Sequence, residues 1–305
     1  MGGHTHGIKW QEHRGRLTDL LSKGYTHPQV ADILSQELKE EITVSGVQMA
    51  CVRYRLLKNL LPTDNSIKFY REKTIPEDNY MVSCDYHAPY HSEEWINKML
   101  LIADKFKVTK SIIVGDLFDM DFAKKFYDDE HSGLDKEITH TSPVIKALDY
   151  FELNYLIRGN HENRVGISTD SRIQARHLFN LFGKDIWEKK FRFTPYDKIS
   201  IGKKWLLVHP RSYSQIGGAV AIRLAEKFHR HVLNAHGHFI ALRYDRSGKY
   251  MGVDLGGCFD IRKIKYISET TTSHPFWNQG FGMIYNGHFH HFHNGTDWGY
   301  WLNGK

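Results

Sequence analysis

LNYLIRGNHE, residues 153–162, runs from a strand-like apolar stretch straight into Gly-Asn-His-Glu, and the same transition recurs along the chain. YMVSC (80–84) is followed by Asp85-Tyr86-His87, and SIIV (111–114) by Gly115-Asp116-Leu117-Phe118-Asp119. Further on, KWLLV (204–208) is followed by His209, and HVLNA (231–235) by His236-Gly237-His238. Helical patterns at 92–106, from Ser142/Pro143 onward and at 218–229 separate these runs, so the order reads as α/β. Open α/β sheets place ligand sites at the carboxyl ends of their strands, where the loops converge on one crevice. Residues distant in sequence are therefore expected to meet.

The residue types delivered to those strand ends are the ones a pair of divalent cations needs. Two cations about 3.5–4 Å apart require a shared carboxylate with further carboxylate, imidazole and amide ligands on either side. Asp-x-His supplies two such groups from one turn, and His-x-His splays two imidazoles. The glycines before Asp116 and Asn160 permit tight turns with no Cβ in the crevice.

The ordered series of Asp-x-His, Gly-Asp-x-x-Asp, Gly-Asn-His-Glu, a lone His after a strand and His-x-His resembles the calcineurin-like metallophosphoesterase superfamily over about residues 80–260. The stretches YSQIGG, DLGGCFD and FWNQGFG further resemble metallophosphoesterases of bacteriophages and bacteria. The resemblance implies a four-layer αββα core and two divalent ions, with manganese the leading choice and magnesium, iron, zinc or cobalt as alternatives. It implies Asp85, His87 and His238 on one metal, Asn160, His209 and His236 on the other, and Asp116 bridging. In such sites the cations bind the phosphoryl oxygens, while His161 stabilises charge or protonates the leaving oxygen and Asp119 orients His161.

Three departures stand out. Ala235 occupies the place of the glycine usual before His236. Pro210 follows His209, where a small residue is common. Asp119 is followed by Met120 and Asp121 and not by the Arg-Gly of serine/threonine protein phosphatases, which demotes that activity. Gly3-His4-Thr5-His6 and Gly287-His288-Phe289-His290 also spell Gly-His-x-His, but neither follows a core-type strand, and the second comes after an Asn286-Gly287 hairpin signal. Arg158, Arg164 and Arg211 adjoin motif residues, where substrate phosphates and surface ion pairs are equal alternatives.

The chain has 305 residues, 41% of them hydrophobic, enough for a large core. It lacks an 18-residue apolar run and an apolar leader, so a soluble, cytoplasmic protein with no membrane partner is expected. Cys51, Cys84 and Cys258 are odd in number and widely spaced, which argues against a disulfide framework or a thiolate metal site. A net charge of +6 favours polyanionic partners, and 20 histidines call for explanation.

Residues 1–61 read as a small tri-helical, helix-turn-helix-like domain, with Thr26 capping one helix and Thr43 or Ser45 the next. Residues 62–79 read as a linker and 80–305 as the catalytic domain. On the third helix Gln48, Arg53, Arg55 and Lys58 are of types that contact bases and phosphates. Eight basic residues against six acidic ones over 1–61 make that charge mild. Docking and dimerisation are the competing uses of such a unit, and the sequence leaves the oligomeric state open. The leading expectation is a phosphodiesterase or nuclease acting on nucleic acid. A hydrolase of small phosphodiesters or cyclic nucleotides, and a DNA-binding protein with a vestigial core, are the alternatives.

Overall fold

The structure, a computed structural model, describes residues 8–23, 25–54, 72–123, 133–264 and 276–303. His4, His6, Arg55, Lys58 and most of the expected linker lie outside the described residues. Contacts divide the chain into two compact units, Met1–Arg71 and Glu72–Lys305. The first holds helices α1 (Trp10–Ser22), α2 (His27–Leu38) and α3 (Val44–Arg53). Pro28 sits in the first turn of α2, where its missing N–H costs nothing, and the Gln29 side chain accepts from the Thr26 amide at 2.9 Å. Thr43 Oγ1 accepts from the Gly46 amide at 3.1 Å and so starts α3. Leu17, Leu20, Val30, Leu34, Val47 and Cys51 close a core of their own.

In the second unit the chain runs β1 (Lys73–Ile75), β2 (Tyr80–Ser83), α4 (Glu93–Phe106), β3 (Lys110–Ile113), α5 (Leu134–Leu148), β4 (Leu153–Ile157) and α6 (Asn160–Ser168). It continues through α7 (Lys184–Lys190), β5 (Phe191–Thr194), β6 (Lys198–Ile201), β7 (Trp205–Val208), α8 (Ala219–Phe228), β8 (His231–Asn234), β9 (Ile240–Tyr244) and β10 (Met251–Leu255). The hairpin β11 (Gly280–Tyr285) and β12 (His288–His293) and helix α9 (Trp298–Asn303) complete it. Two six-stranded sheets result, ordered β12-β11-β2-β3-β4-β5 and β1-β6-β7-β8-β10-β9.

The layers follow from which faces are apolar. Val82, Ile112 and Ile157 of the first sheet meet Ile201, Leu207, Leu233 and Val253 of the second in one dry cluster. The other face of the first sheet packs on Trp95, Met99, Ile145 and Trp187 of its helices. On the outer face of the second sheet, Leu206, Val208 and Val232 pack against Ala225 of α8. The order is helix, sheet, sheet, helix. β2, β3 and β4 are parallel, as are β7 and β8, so their carboxyl ends open on one side of each sheet.

Two sequence expectations are corrected. Helix α5 begins at Leu134, and Pro143 lies inside it instead of starting it. Proline removes one backbone donor, but the Ser142 hydroxyl bonds back to Ile138 O at 2.8 Å, and Val144, Ile145 and Leu148 anchor the final turns in the core. The linker expected to reach residue 79 instead contains β1, paired in parallel with β6 and with Ile75 buried between the sheets. The Asn286-Gly287 turn has positive φ at both residues and joins Tyr285 to His288 as a two-residue hairpin loop. None of the described helices is long and apolar enough to cross a membrane.

Ile75→Ala is expected to destabilise the second unit by about 2–5 kcal/mol, the usual range for emptying a buried aliphatic position. Thermal denaturation should show the transition falling by several degrees, whereas a true linker residue would leave it unmoved.

Candidate metal centre

The strand-end loops do something backbones avoid. Asp85, His87, Asp116, His236 and His238 all have positive φ, between 46° and 73°. The left-handed region is uncommon for side chains other than glycine, and each such residue costs on the order of 1–3 kcal/mol. Five of the seven proposed ligands share this conformation, which turns their side chains inward from consecutive loops. Asp85, His87, Asp116, His209 and His238 are buried.

Asp85, His87 and His238 converge on one point. His238 Nε2 lies 3.2 Å from Asp85 Oδ1 and 3.2 Å from His87 Nε2. His87 Nδ1 donates to Asp119 Oδ1 at 2.9 Å, which leaves its Nε2 as a bare lone pair. One His238 N–H cannot serve both facing acceptors.

Asp116, His209 and His236 form a second group. His209 Nδ1 donates to Val114 O at 2.8 Å, so in the neutral ring the Nε2 lone pair faces Asn160 Oδ1 at 2.9 Å and Asp116 Oδ2 at 3.2 Å. Asp116 Oδ2 is buried and accepts no hydrogen bond, while Oδ1 accepts from the His161 amide at 2.9 Å. Lone pairs facing lone pairs call for positive charge between them, and these donors, oxygen and imidazole, suit divalent first-row metals. The residues fit a metal centre.

The charge balance agrees. Burial works against the His209 cation, yet Asp116 beside it pushes the pKa up to about 10, so that without metal a proton supplies the missing charge. Burial also raises Asp85 and Asp116, but the imidazoles outweigh it: His238 chiefly holds Asp85 at about 2, and His161 and His209 hold Asp116 well below the carboxylate range. Burial, reinforced by His209, lowers His236 to about 4, which keeps it a neutral ligand type.

His161 stands beside both groups. Its Nδ1 lies 2.8 Å from Asp119 Oδ1, so Asp119 holds the rings of His161 and His87 together. These three residues also satisfy metal-ligand spacing, but their contacts are hydrogen bonds. Arg164, left open by the sequence, donates to His161 Nε2 at 2.9 Å and to Asp119 O at 2.7 Å. Arg158 and Arg211 instead line a cavity with Asn160, His209 and His236.

Sequence reasoning gave Glu162 no role. Its buried carboxylate accepts from the amides of Gly159 at 2.8 Å, Asp116 at 3.0 Å and Phe118 at 3.2 Å, tying the β3 and β4 loops together. Burial and the Asp116 charge raise its pKa to about 7. Its place three residues after the Gly159 cap was the available signal. Elsewhere, Gln48 and Arg53 are exposed on α3, beside Met49 and Val52, which are 65% and 66% exposed. His288 and His290 lie on β12, where His290 packs against Trp301, and join neither ligand group.

No family model matches the chain, and no curated protein does. Among solved structures it is similar to YfcE, a phosphoesterase from E. coli, with 12% identity over 68% of this chain and 89% of that one and a TM-score of 0.33. It is also similar to a protein provisionally designated a diadenosine tetraphosphatase, with 13% identity over 74% of this chain, 100% of that one and a TM-score of 0.36.

A Cβ on Gly159 would fall on the Asp116 carboxylate and amide nitrogen. Gly159→Ala is therefore expected to displace Asp116 and lower metal uptake while circular dichroism keeps its native shape. Metal analysis after dialysis against Mn2+ measures the loss, and wild-type stoichiometry in the variant would contradict it.

Proposed function

We propose that this chain is a metal-dependent phosphoesterase that hydrolyses phosphodiester bonds, with nucleic acid as its substrate class. The observation that carries the reading is the pair of buried groups whose lone pairs face one another beside a carboxylate-held imidazole. Asp85, His87 and His238 would hold one cation, Asn160, His209 and His236 the other, and Asp116 would bridge them. The oxygen and imidazole donors suit manganese, magnesium, iron, zinc or cobalt. Bound cations at such a site neutralise charge on phosphoryl oxygens and make water more acidic.

The protein's own share is positional. Asp119 accepts from His161 Nδ1, which fixes the tautomer and leaves Nε2 as the nitrogen without a proton. That nitrogen would carry the proton for the leaving oxygen. Arg164 occupies it in this arrangement and would turn toward the substrate's negative charge as His161 takes up its proton.

Exposed Gln48 and Arg53 and the net charge of +6 support nucleic acid as the substrate. Exposed Met49 and Val52 on the same helix favour a docking role for the first unit. Hydrolysis of linear DNA set beside hydrolysis of cyclic nucleotides separates a nuclease from a small-molecule phosphodiesterase. The resemblance to bacteriophage and bacterial metallophosphoesterases belongs to this reading.

Metal-stripped protein should be inactive on bis(p-nitrophenyl) phosphate and recover with one of Mn2+, Mg2+ or Zn2+ supplied singly. Asp116→Asn should lose metal and turnover together. His288→Ala with His290→Ala should stay within about tenfold of wild type, a barrier change of roughly 1.4 kcal/mol. A dead double variant would move the centre to β12.

His161→Ala should keep its metal and lose about 10²–10⁴ in rate, the usual worth of a general acid. The loss should shrink for nitrophenolate leaving groups, which need no proton. An equal loss for nitrophenolate and alkoxide would give His161 a structural role instead.

A further inference from the structure

From the metal-type cluster a groove continues along one face of α6. Asn160, Asn163 and Ile167 lie at helical spacing on that face and line a cavity of about 440 Å³, with Arg158 and Arg211 on its walls. Arg158, Asn163 and Ile167 also line a second cavity of about 220 Å³, which reaches Arg176 and Phe193. The two cavities adjoin at these three residues. Arg158, Arg176 and Arg211 have no ion pair or hydrogen bond from their side chains among the described residues, whereas Arg164 and Arg230 are paired.

Arg158 is half-buried, and a partly desolvated guanidinium is costly without an anion. The acidic residues on the walls are already engaged. Glu162 accepts three backbone N–H groups, and Asp197 contacts Lys198 at 3.4 Å. Besides Arg158 and Arg176, the second cavity is lined by the apolar Ile167, Ala175, Phe193 and Pro195 and by the polar Asn163, Ser171 and Gln174. Two guanidiniums on a wall that also offers apolar surface and amide groups suit phosphates separated by a nucleoside, which has a ring face to pack and base edges to hydrogen-bond, better than contiguous phosphates.

We propose that this groove is a subsite for the neighbouring phosphate of an oligonucleotide, with Arg158 beside the scissile phosphate and Arg176 gripping a phosphate one nucleoside away from it. The inference rests on the phosphodiesterase reading and names the determinant of its substrate preference. Gly166 leaves the second cavity open: a Cβ there would meet only Ile173 O at 4.0 Å, so a longer side chain fits the helix and projects into the cavity.

The test compares full-length wild type, Arg176→Ala and Gly166→Met on the dinucleotide TpT, on pTpT and TpTp, which carry a further phosphate at either end, and on a pyrophosphate-linked dithymidine. In wild type, one of the two extended substrates is expected to exceed TpT in kcat/KM by about tenfold or more, as a charge-assisted phosphate contact allows. Both variants should reduce that ratio to about twofold or less, Arg176→Ala by removing charge and Gly166→Met by filling space. Equal kcat/KM on TpT, pTpT and TpTp, or a ratio untouched by both variants, overturns the subsite while leaving the phosphodiesterase reading intact. Faster cleavage of the pyrophosphate-linked compound than of either extended dinucleotide overturns it in favour of contiguous phosphates. Absence of metal-dependent cleavage of every substrate, bis(p-nitrophenyl) phosphate included, would instead defeat the underlying reading.

Discussion

The second unit is organised around a charge problem that hydrogen bonds alone do not solve. Asp85 and Asp116 are buried carboxylates, and in the neutral rings the Nε2 lone pairs of His87 and His209 face His238 Nε2 and Asn160 Oδ1. Buried charges persist only when paired or bound to metal. A protein selected for stability alone would replace this cluster with aliphatic side chains. Five residues of the cluster lie in the left-handed backbone region, so holding these groups together costs backbone free energy as well.

The surrounding structure holds that arrangement by close approach and by one acidic staple. Gly115 has a φ of +79° and passes so near the His209 ring that a side chain there would overlap it. Gly159 lies against Asp116 in the same way. Glu162 gathers three amides from the two loops that carry Asp116 and Asn160, so the β3 and β4 loops are tied together. The parallel strands beneath supply the direction, and the apolar layer between the sheets supplies the rigidity.

The strand-to-ligand transitions were legible because they are local: an apolar run followed by Asp, Asn or His is visible in one window of residues, as is the Asn286-Gly287 turn. What was not legible depends on tertiary partners. Pro143 signals a helix start, yet packing of Val144, Ile145 and Leu148 carries α5 through it. Lys73–Ile75 is too short to read as a strand until β6 lies beside it. Arg164 is an undistinguished helical residue until the turn of α6 brings it onto His161 and Asp119. The groove beyond Arg158 draws on residues from 158 to 211, most of them outside any motif.

Asp119 connects the two halves of the site in a way that the spacing of Gly-Asp-x-x-Asp does not reveal. Its carboxylate oxygen accepts from His87 Nδ1 at 2.9 Å and lies 2.8 Å from His161 Nδ1, which also meets the Asp119 carbonyl at 3.0 Å. Burial raises this carboxyl, but His161 and His87 outweigh it and hold it well below the ordinary range, so it remains an acceptor. Both imidazoles are thereby fixed in the same tautomer, with Nε2 unprotonated. For His87 that nitrogen faces His238 Nε2 at 3.2 Å; for His161 it accepts from Arg164 at 2.9 Å. In the proposed mechanism a single carboxylate would hold one ring for binding and the other for proton transfer. Which task each performs follows from what stands opposite its Nε2 and not from the imidazole itself.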